Sequence, residues 1–246
     1  MALDKKKYKE VAAFCLMALF AGITIGIGCT CFLLCVYSLS DAFGRVLGGF
    51  LFALGIFAII SFEMKLFTGM AASIPTMQKK DYWQLPVCFL CNALGVILAV
   101  SLIRLTVLAD LIVPLAASVI EPKLAAEYWY VNAFISSILC GVMITMSILA
   151  PKYVGKKGLS VTLGVMLPIV VFALCGFDHS VANMYYFACY EETSLKVVVY
   201  ILLTVLGNML GGIALPLVIN FNNSVKENAN ETSKEPEQIS SNEDKE

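Results

Sequence analysis

Long runs of apolar residues alternate with short polar breaks along most of the chain. A helix needs about 20 predominantly apolar residues to cross a bilayer. Five runs reach that length, and a sixth is slightly short because it meets Glu63 and Lys65 before apolar character resumes. We therefore predict an all-α membrane protein with spans over residues 11–36, 46–62, 84–108, 129–150, 159–177 and 195–219.

Polar ends set the limits of the membrane domain. Residues 1–10 are rich in lysine, and residues 220–246 consist mostly of Asn, Ser, Glu and Lys. The second segment has too little apolar surface to order itself, so we predict a disordered tail. Residues 11–219 then form one domain, whose first apolar run is too long for a signal-peptide core and is expected to remain.

Composition excludes a soluble class. The 246 residues are 59% hydrophobic and 14% charged, with a mean hydropathy of +0.83, whereas soluble domains carry about 25% charged residues. The formal net charge of −1 gives no basis for a nucleic-acid partner. Nearly all nine cysteines lie in apolar runs, where cysteine packs as a small hydrophobe, so we expect no metal and no cofactor.

Basic residues indicate the orientation of the spans. The positive-inside rule counts lysine and arginine in short loops. With six spans, one side carries the N-terminal lysines, Lys79, Lys80, Lys152, Lys156 and Lys157, and the other only Arg45, Arg104, Lys123 and Lys196. Both termini are therefore expected in the cytoplasm.

Two polar clusters interrupt the second and fifth spans. Ionisable groups inside a span cost roughly 2.5–3.5 kcal/mol on insertion scales and usually mark function. The first cluster contains Glu63, Lys65, Thr68 and Gly69, and the second contains Asp178, the only histidine, His179, and Asn183. The alternatives are charges at a helix end for Glu63 and Lys65, and a satisfied buried imidazole for His179.

A weak internal repeat accompanies the two clusters. The third span contains Asn92 in Leu90-Cys-Asn-Ala-Leu-Gly95, and the sixth contains Asn208 in Leu206-Gly-Asn-Met-Leu-Gly211. Three spans per half would place the halves in opposite orientations. Inverted repeats with broken helices in matching positions are typical of a transport site near the midplane.

Broken helices offer a way to attract an anion without a permanent charge in its path. A half-helix N-terminus carries a partial positive charge and unpaired amides, and Thr68 and His179 would add directional donors. Apolar constrictions resist hydrated ions. Candidates for them, unless these side chains simply pack, are Phe52, Ile56, Ile144 and Phe172.

The strings Gly176-Phe-Asp-His-Ser-Val-Ala-Asn-Met184, Leu66-Phe-Thr-Gly69 and Ala21-Gly-Ile-Thr-Ile-Gly26 resemble motifs of the formate/nitrite transporter family. The resemblance implies an aquaporin-like protomer in a homopentamer of the bacterial cytoplasmic membrane, with one pore per protomer for formate, nitrite, lactate or hydrosulfide. It matches His179 and Thr68 to the family's central histidine and loop threonine. It also matches Phe52, Ile56 and Phe172 to its constrictions, Ile144 more loosely, and Lys123 to a basic residue before the fourth span.

Departures from the family pattern favour its hydrosulfide branch. Lys65 stands where an acidic residue is usual, and Met70 and Gly141 stand where asparagine is usual. A cation near the loop favours a monoanion, which leaves formate or nitrite as alternatives. A membrane-embedded enzyme is a third reading, but Asp178 and His179 are adjacent, whereas a catalytic triad converges from separate positions.

Overall fold

The computed structural model describes residues 2–39, 41–155, 158–191 and 193–243, and these contain no β-strand. Lys156 and Lys157 of the predicted basic side lie outside them. Two short 3-10 helices cover Ala71–Thr76 and Lys79–Asp81. The α-helices are α1 Ala2–Ser38, α2 Asp41–Ser61, α3 Phe67–Met70, α4 Gln84–Arg104, α5 Ala109–Ala125, α6 Trp129–Tyr153, α7 Leu159–Cys175, α8 Ser180–Tyr190 and α9 Leu195–Glu243.

The predicted six-span architecture with two breaks is confirmed. Five helices (α1, α2, α4, α6 and α9) are long and apolar enough to cross a membrane. The remaining span, the fifth in chain order, consists of α7 and α8, which are bent by 48° at a short break. The second span is interrupted as well, because α2 ends at Ser61 and α3 begins only at Phe67.

Six crossings divide the polar ends of the helices between two faces. One cavity brings the start of α1, at Glu10, next to the end of α2, at Ser61. We call this side the N-terminal face. A different cavity joins the end of α1, at Val36, to the start of α2, at Arg45, and to Lys123 of α5. We call that side the opposite face.

Helix α5 was not predicted, because residues 110–127 were interpreted as a break between spans. At 17 residues it is too short to cross a bilayer. It nevertheless buries Ile112, Ala116 and Ile120, which stand four residues apart and so form one apolar stripe. This stripe holds α5 against the spans at the opposite face.

The last helix continues through Glu243, although disorder was predicted from residue 220. The sequence has no glycine or proline over residues 217–235, so nothing in the chain breaks the helix there. Side chains over residues 220–230 are exposed, so this part of α9 adds no packing to the membrane domain. Residues 244–246 of the predicted tail lie outside the described residues.

Candidate functional site

The break in the second span begins with a Schellman turn at the end of α2. The Met64 amide donates to the Ile59 carbonyl (2.9 Å), and the Glu63 amide donates to the Ile60 carbonyl (3.3 Å). Glu63 adopts a left-handed conformation with φ of 54°. This turn ends the helix with its last carbonyls satisfied and directs the chain towards α3.

The break in the fifth span, between α7 and α8, begins with the same turn. The Phe177 amide donates to the Phe172 carbonyl (3.0 Å), and the Gly176 amide donates to the Ala173 carbonyl (3.2 Å). Gly176 has φ of 69°, which a glycine adopts at little cost. Both spans are therefore interrupted by the same type of backbone turn, with Glu63 and Gly176 in equivalent positions.

Asn92 holds the first break open. Its Oδ1 accepts a hydrogen bond from the Phe67 amide (2.8 Å), which is the first amide of α3. Its Nδ2 donates to the Lys65 carbonyl (2.9 Å) and to the Ala18 carbonyl of α1 (2.7 Å). One buried side chain thus satisfies two backbone groups that the break would leave unpaired, and it also joins the break to α1.

Asn208 does the same for the second break. Its Oδ1 accepts from the Ser180 amide (2.8 Å) at the start of α8, and its Nδ2 donates to the carbonyls of Asp178 (2.8 Å) and Ser137 of α6 (2.9 Å). A Cβ on Gly141 would strike the Asn208 carbonyl, so this position has no room for a side chain such as asparagine.

The hydrogen bonds of Asn92 and Asn208 show which residues of the two halves of the inverted repeat correspond. Because Asn92 bonds Phe67 and Asn208 bonds Ser180, the residues just before these amides are also equivalent: Leu66 corresponds to His179. Both have extended backbone, with φ and ψ of −104° and 126° at Leu66 and −100° and 118° at His179. The first half therefore has a buried leucine where the second has its imidazole.

His179 is fixed by hydrogen bonds at both ring nitrogens. Nδ1 accepts from the Ala182 amide (3.1 Å), which caps the first turn of α8, and Nε2 lies 2.9 Å from Thr68 Oγ1. Since Nδ1 accepts, we assign the proton of the neutral ring to Nε2, which donates to Thr68. The Thr68 hydroxyl hydrogen is then free to donate to another group.

Two phenyl rings flank this hydrogen-bonded pair. The Phe172 ring stacks on the imidazole with centroids 6.0 Å apart, and the Phe52 ring meets it edge-on at 6.4 Å. The two phenyl rings contact each other at 5.5 Å. The imidazole of His179 therefore packs against both phenyl rings of the predicted aromatic constriction.

A vestibule of about 270 Å³ opens to the opposite face and ends at this constriction. Its wall includes Phe52, Phe172 and His179, together with Arg45, Lys123 and Asn183. Thr68, Ile56 and Ile144 are completely buried and do not belong to its described wall. Phe52, Ile56, Ile144 and Phe172 belong to one apolar cluster, with the aromatic pair lining the vestibule, and their role as constrictions stays a prediction.

Asp178 does not bond the imidazole beside it. Its Oδ1 accepts from Lys123 Nζ (2.7 Å), Asn183 Nδ2 (2.9 Å) and the Tyr200 hydroxyl (3.0 Å). The carboxylate is fully buried, and a buried charge needs partners of this kind. Lys123 and Asn183 therefore belong to a network that supports the break, and Asp178 does not orient the histidine.

Glu63 and Lys65 lie apart from the His179 cluster. They line a separate cavity of about 540 Å³ at the N-terminal face, with Glu10 and Phe14. Glu63 is exposed and Lys65 is half-buried. Gly69 packs against Ile148 of α6 and lets α3 approach that helix closely. The structure thus brings together Thr68, Asp178, His179, Asn183 and Lys123. It places the Glu63 and Lys65 side chains at the N-terminal face.

Sequence reasoning missed three residues of this region: Arg45, Leu66 and Tyr200. The signal for Leu66 was available in the repeat, because Asn92 and Asn208 align it with His179. Arg45 was counted only as a loop charge, although it stands seven residues before Phe52 on one face of α2. Tyr200 has no motif of its own, and only the folded structure brings it to Asp178.

Comparisons with known proteins show the family of this chain from its sequence and its fold from solved structures. The family model described as "Formate/nitrite transporter" matches residues 1–222. No curated protein matches the chain. A solved structure described as "FNT family ion channel" is similar with a TM-score of 0.73 and 21% identity, over 88% of this chain and 92% of that one. Another, "Pentameric formate channel with formate bound", has a TM-score of 0.70 and 18% identity, over 89% and 98%.

Proposed function

Because this chain belongs to the formate/nitrite transporter family, we propose that it forms a homopentamer that conducts hydrosulfide through one pore in each protomer. The family consists of anion channels and transporters, so the protein transports and is not an enzyme. A solved relative of the same fold is described as a pentameric channel, which supports the homopentamer.

The observation that carries the proposal is the Thr68–His179 pair, whose imidazole packs against two phenyl rings at the inner end of the vestibule. An anion that reaches this point finds the free hydroxyl hydrogen of Thr68. It does not meet a fixed charge that would hold it. Transferring a naked anion through the buried residues beyond would be expensive. A small monoanion that needs few hydrogen bonds loses the least solvation free energy among anions there. A neutral acid loses even less.

Protonation of the anion would lower this cost, and the geometry restricts where the proton comes from. If His179 gave up its Nε2 proton, an imidazolate would remain unless Nδ1 gained a proton. Nδ1 cannot gain one while it accepts from the Ala182 amide. We therefore assign His179 the role of a hydrogen-bond donor that orients Thr68, and assign proton supply to water in the vestibule.

Hydrosulfide is favoured over formate by the mouth at the N-terminal face. Lys65 lines the cavity there and places a cation near the break, where the family usually has an acidic residue. The site also offers one free hydroxyl hydrogen, whereas formate has two oxygens that need donors. Formate or nitrite is the second candidate, because a structural relative is described as having formate bound.

Lysine placement supports a cytoplasmic location for the N-terminal face. Lys79, Lys80 and Lys152 lie at helix ends on that side, as do the lysines at the start of α1. Arginine and lysine in short loops favour the cytoplasmic side. We therefore place both ends of the membrane domain in the cytoplasm of a bacterial cell, and the vestibule on the outside.

Uptake into liposomes tests the substrate. Purified protein would be compared with sulfide, formate and nitrite at matched gradients and two pH values, one alkaline enough to leave sulfide almost entirely as hydrosulfide. Protein-free liposomes give the baseline, because neutral hydrogen sulfide also crosses lipid. Faster protein-dependent sulfide uptake supports the proposal. Faster formate or nitrite uptake keeps the channel and rejects hydrosulfide, and no protein-dependent flux of any of the three rejects the function.

Lys65→Gln is the matched variant for that experiment. Loss of the cation should lower sulfide uptake more than formate uptake if Lys65 favours the smaller anion. Lys80→Gln, which removes an exposed lysine from the same face, serves as its control. Equal effects of both variants on both anions would remove Lys65 from substrate selection.

A further inference from the structure

Two cationic side chains line the vestibule, and their charges are not equally available. Lys123 donates to the buried carboxylate of Asp178 at 2.7 Å, and its side chain is only 18% exposed. An anion in the vestibule therefore meets the Lys123 ammonium together with the carboxylate it contacts, and the two opposite charges largely cancel. Lys123 was expected to be the basic residue of this mouth, but its contact gives it a structural task.

Arg45 differs from Lys123 in its exposure. Its side chain is exposed to solvent, and no ion pair joins it to any side chain that the structure describes, a set that does not include the side chain of the neighbouring Asp41. The vestibule wall, as far as the structure describes it, also contains no Asp or Glu. The guanidinium is thus a positive charge in contact with solvent at this mouth, whereas the Lys123 ammonium is bound to a carboxylate.

The position of Arg45 relates it to the permeation path. It stands in the second turn of α2, seven residues before Phe52, and both side chains line the vestibule. Seven residues are two helical turns, or roughly 10 Å along the axis. Arg45 thus lies at the outer end of a line that continues through Phe52 and His179 to Thr68.

We propose that Arg45, and not Lys123, is the residue that collects anions at the outer vestibule, while Lys123 positions Asp178. This inference rests on the proposed anion channel. A charge at the mouth of a cleft raises the local concentration of the opposite charge and the rate of association. Because Arg45 is exposed, its effect acts through solvent and is screened over about 10 Å at 0.1 M salt.

The local potential can be measured without knowing which anion is transported. Ser118 is exposed and lines the same vestibule, so Ser118→Cys supplies a reporter thiol there. The native Cys175 is also exposed and is replaced by serine in every variant. Labelling rates with an anionic and a cationic methanethiosulfonate reagent, after subtraction of the parent without the reporter, give a ratio that reports the sign and size of the potential.

Arg45→Gln should lower the anionic-to-cationic ratio by roughly threefold or more at low salt, with the difference disappearing at high salt. Arg45→Lys should keep the ratio, and Lys80→Gln, at the other face, should leave it unchanged. Lys123→Gln should change it less than Arg45→Gln does. The inference is overturned if Arg45→Gln leaves the anionic-to-cationic ratio unchanged. It is also overturned if Lys123→Gln lowers the ratio more than Arg45→Gln does.

Uptake measurements separate this inference from the proposed function. If wild-type protein conducts sulfide but Arg45→Gln leaves both the ratio and the low-salt flux unchanged, the inference fails and the channel stands. If the ratio depends on Arg45 while no anion crosses, the electrostatic assignment holds and the proposed transport fails. Thermal unfolding of Arg45→Gln should match wild type, since the side chain is exposed.

Discussion

His179 performs two tasks with one ring, because its nitrogens face different partners. Nδ1 caps α8 through the Ala182 amide, while Nε2 holds the Thr68 hydroxyl. A second proton could be added only at Nδ1, where it would displace the cap and lie at a positive helix end. The arrangement therefore favours a neutral ring, and under the proposed function it leaves Thr68 as the group that would donate to an anion.

The variant His179→Asn separates these tasks. Asparagine is a good N-cap, so α8 should keep its first turn, but the shorter side chain loses the bond to Thr68. We expect flux to fall about fivefold, as loss of a bond of about 1 kcal/mol implies, with the shape of its pH profile unchanged. Uptake at several pH values checks this. Disappearance of the pH dependence in the variant would show instead that His179 carries the transported proton.

Thr68 is expected to be the donor to the anion, which a pair of substitutions can test. Thr68→Ser keeps the hydroxyl and should retain most of the flux. Thr68→Val has nearly the same shape but no hydroxyl, and it leaves the His179 Nε2 donor unpaired in a buried place, at a cost of about 1–3 kcal/mol. Liposome uptake should therefore drop at least several-fold in the valine variant. Full activity of that variant would exclude the loop hydroxyl from permeation.

At the scale of elements, the interrupted spans are two copies of one construction: a Schellman turn, an extended residue, and a short helix whose first amide is bonded by an asparagine. The copies differ at the left-handed turn residue. Gly176 suits that conformation, whereas Glu63 has φ of 54° despite its side chain. A non-glycine residue pays roughly 1–2 kcal/mol there.

Glu63→Gly should therefore raise the stability of the protein by roughly 1 kcal/mol, and Gly176→Ala should lower it by about the same amount. Glu63 is exposed, so its removal breaks no buried contact. Thermal unfolding in detergent measures both variants. An unchanged unfolding temperature of Glu63→Gly would mean that contacts of the Glu63 side chain offset the free-energy cost of its left-handed backbone conformation. Flux of Glu63→Gly close to wild type would place the carboxylate outside permeation.

The sequence predicted the elements that depend on long patterns and failed where short contacts decide. Apolar runs located the spans, and the polar interruptions located both breaks. The repeated Asn-x-Leu-Gly pairs showed the inverted repeat, although not that each asparagine clamps a break. The short helix α5 was missed because residues 110–127 were interpreted as a break, since the apolar run there is shorter than a membrane span. The Lys123–Asp178 ion pair could not be predicted from the sequence, because 55 residues and two helices separate its members in the chain.

The whole protomer is closed by apolar residues between two mouths of different character. The opposite face has a vestibule with Arg45 and no carboxylate in its described wall, and the N-terminal face has a cavity that contains Glu10, Glu63 and Lys65. All residues from Arg45 to Thr68 belong to one chain. Because one chain supplies this whole set of proposed pore residues, we predict that the protomers of an oligomer conduct independently.

Mixed pentamers test this independence. Wild-type and His179→Asn subunits with different tags would be co-expressed at several ratios, and pentamers would be purified through both tags and reconstituted. If each protomer has its own pore, flux above that of the pure variant should rise in direct proportion to the wild-type fraction. A single shared pore would instead lose flux steeply with the first variant subunits. Proportional flux together with a pentameric mass in detergent would establish five separate paths, and steep loss would move the path from the protomer to the axis of the assembly.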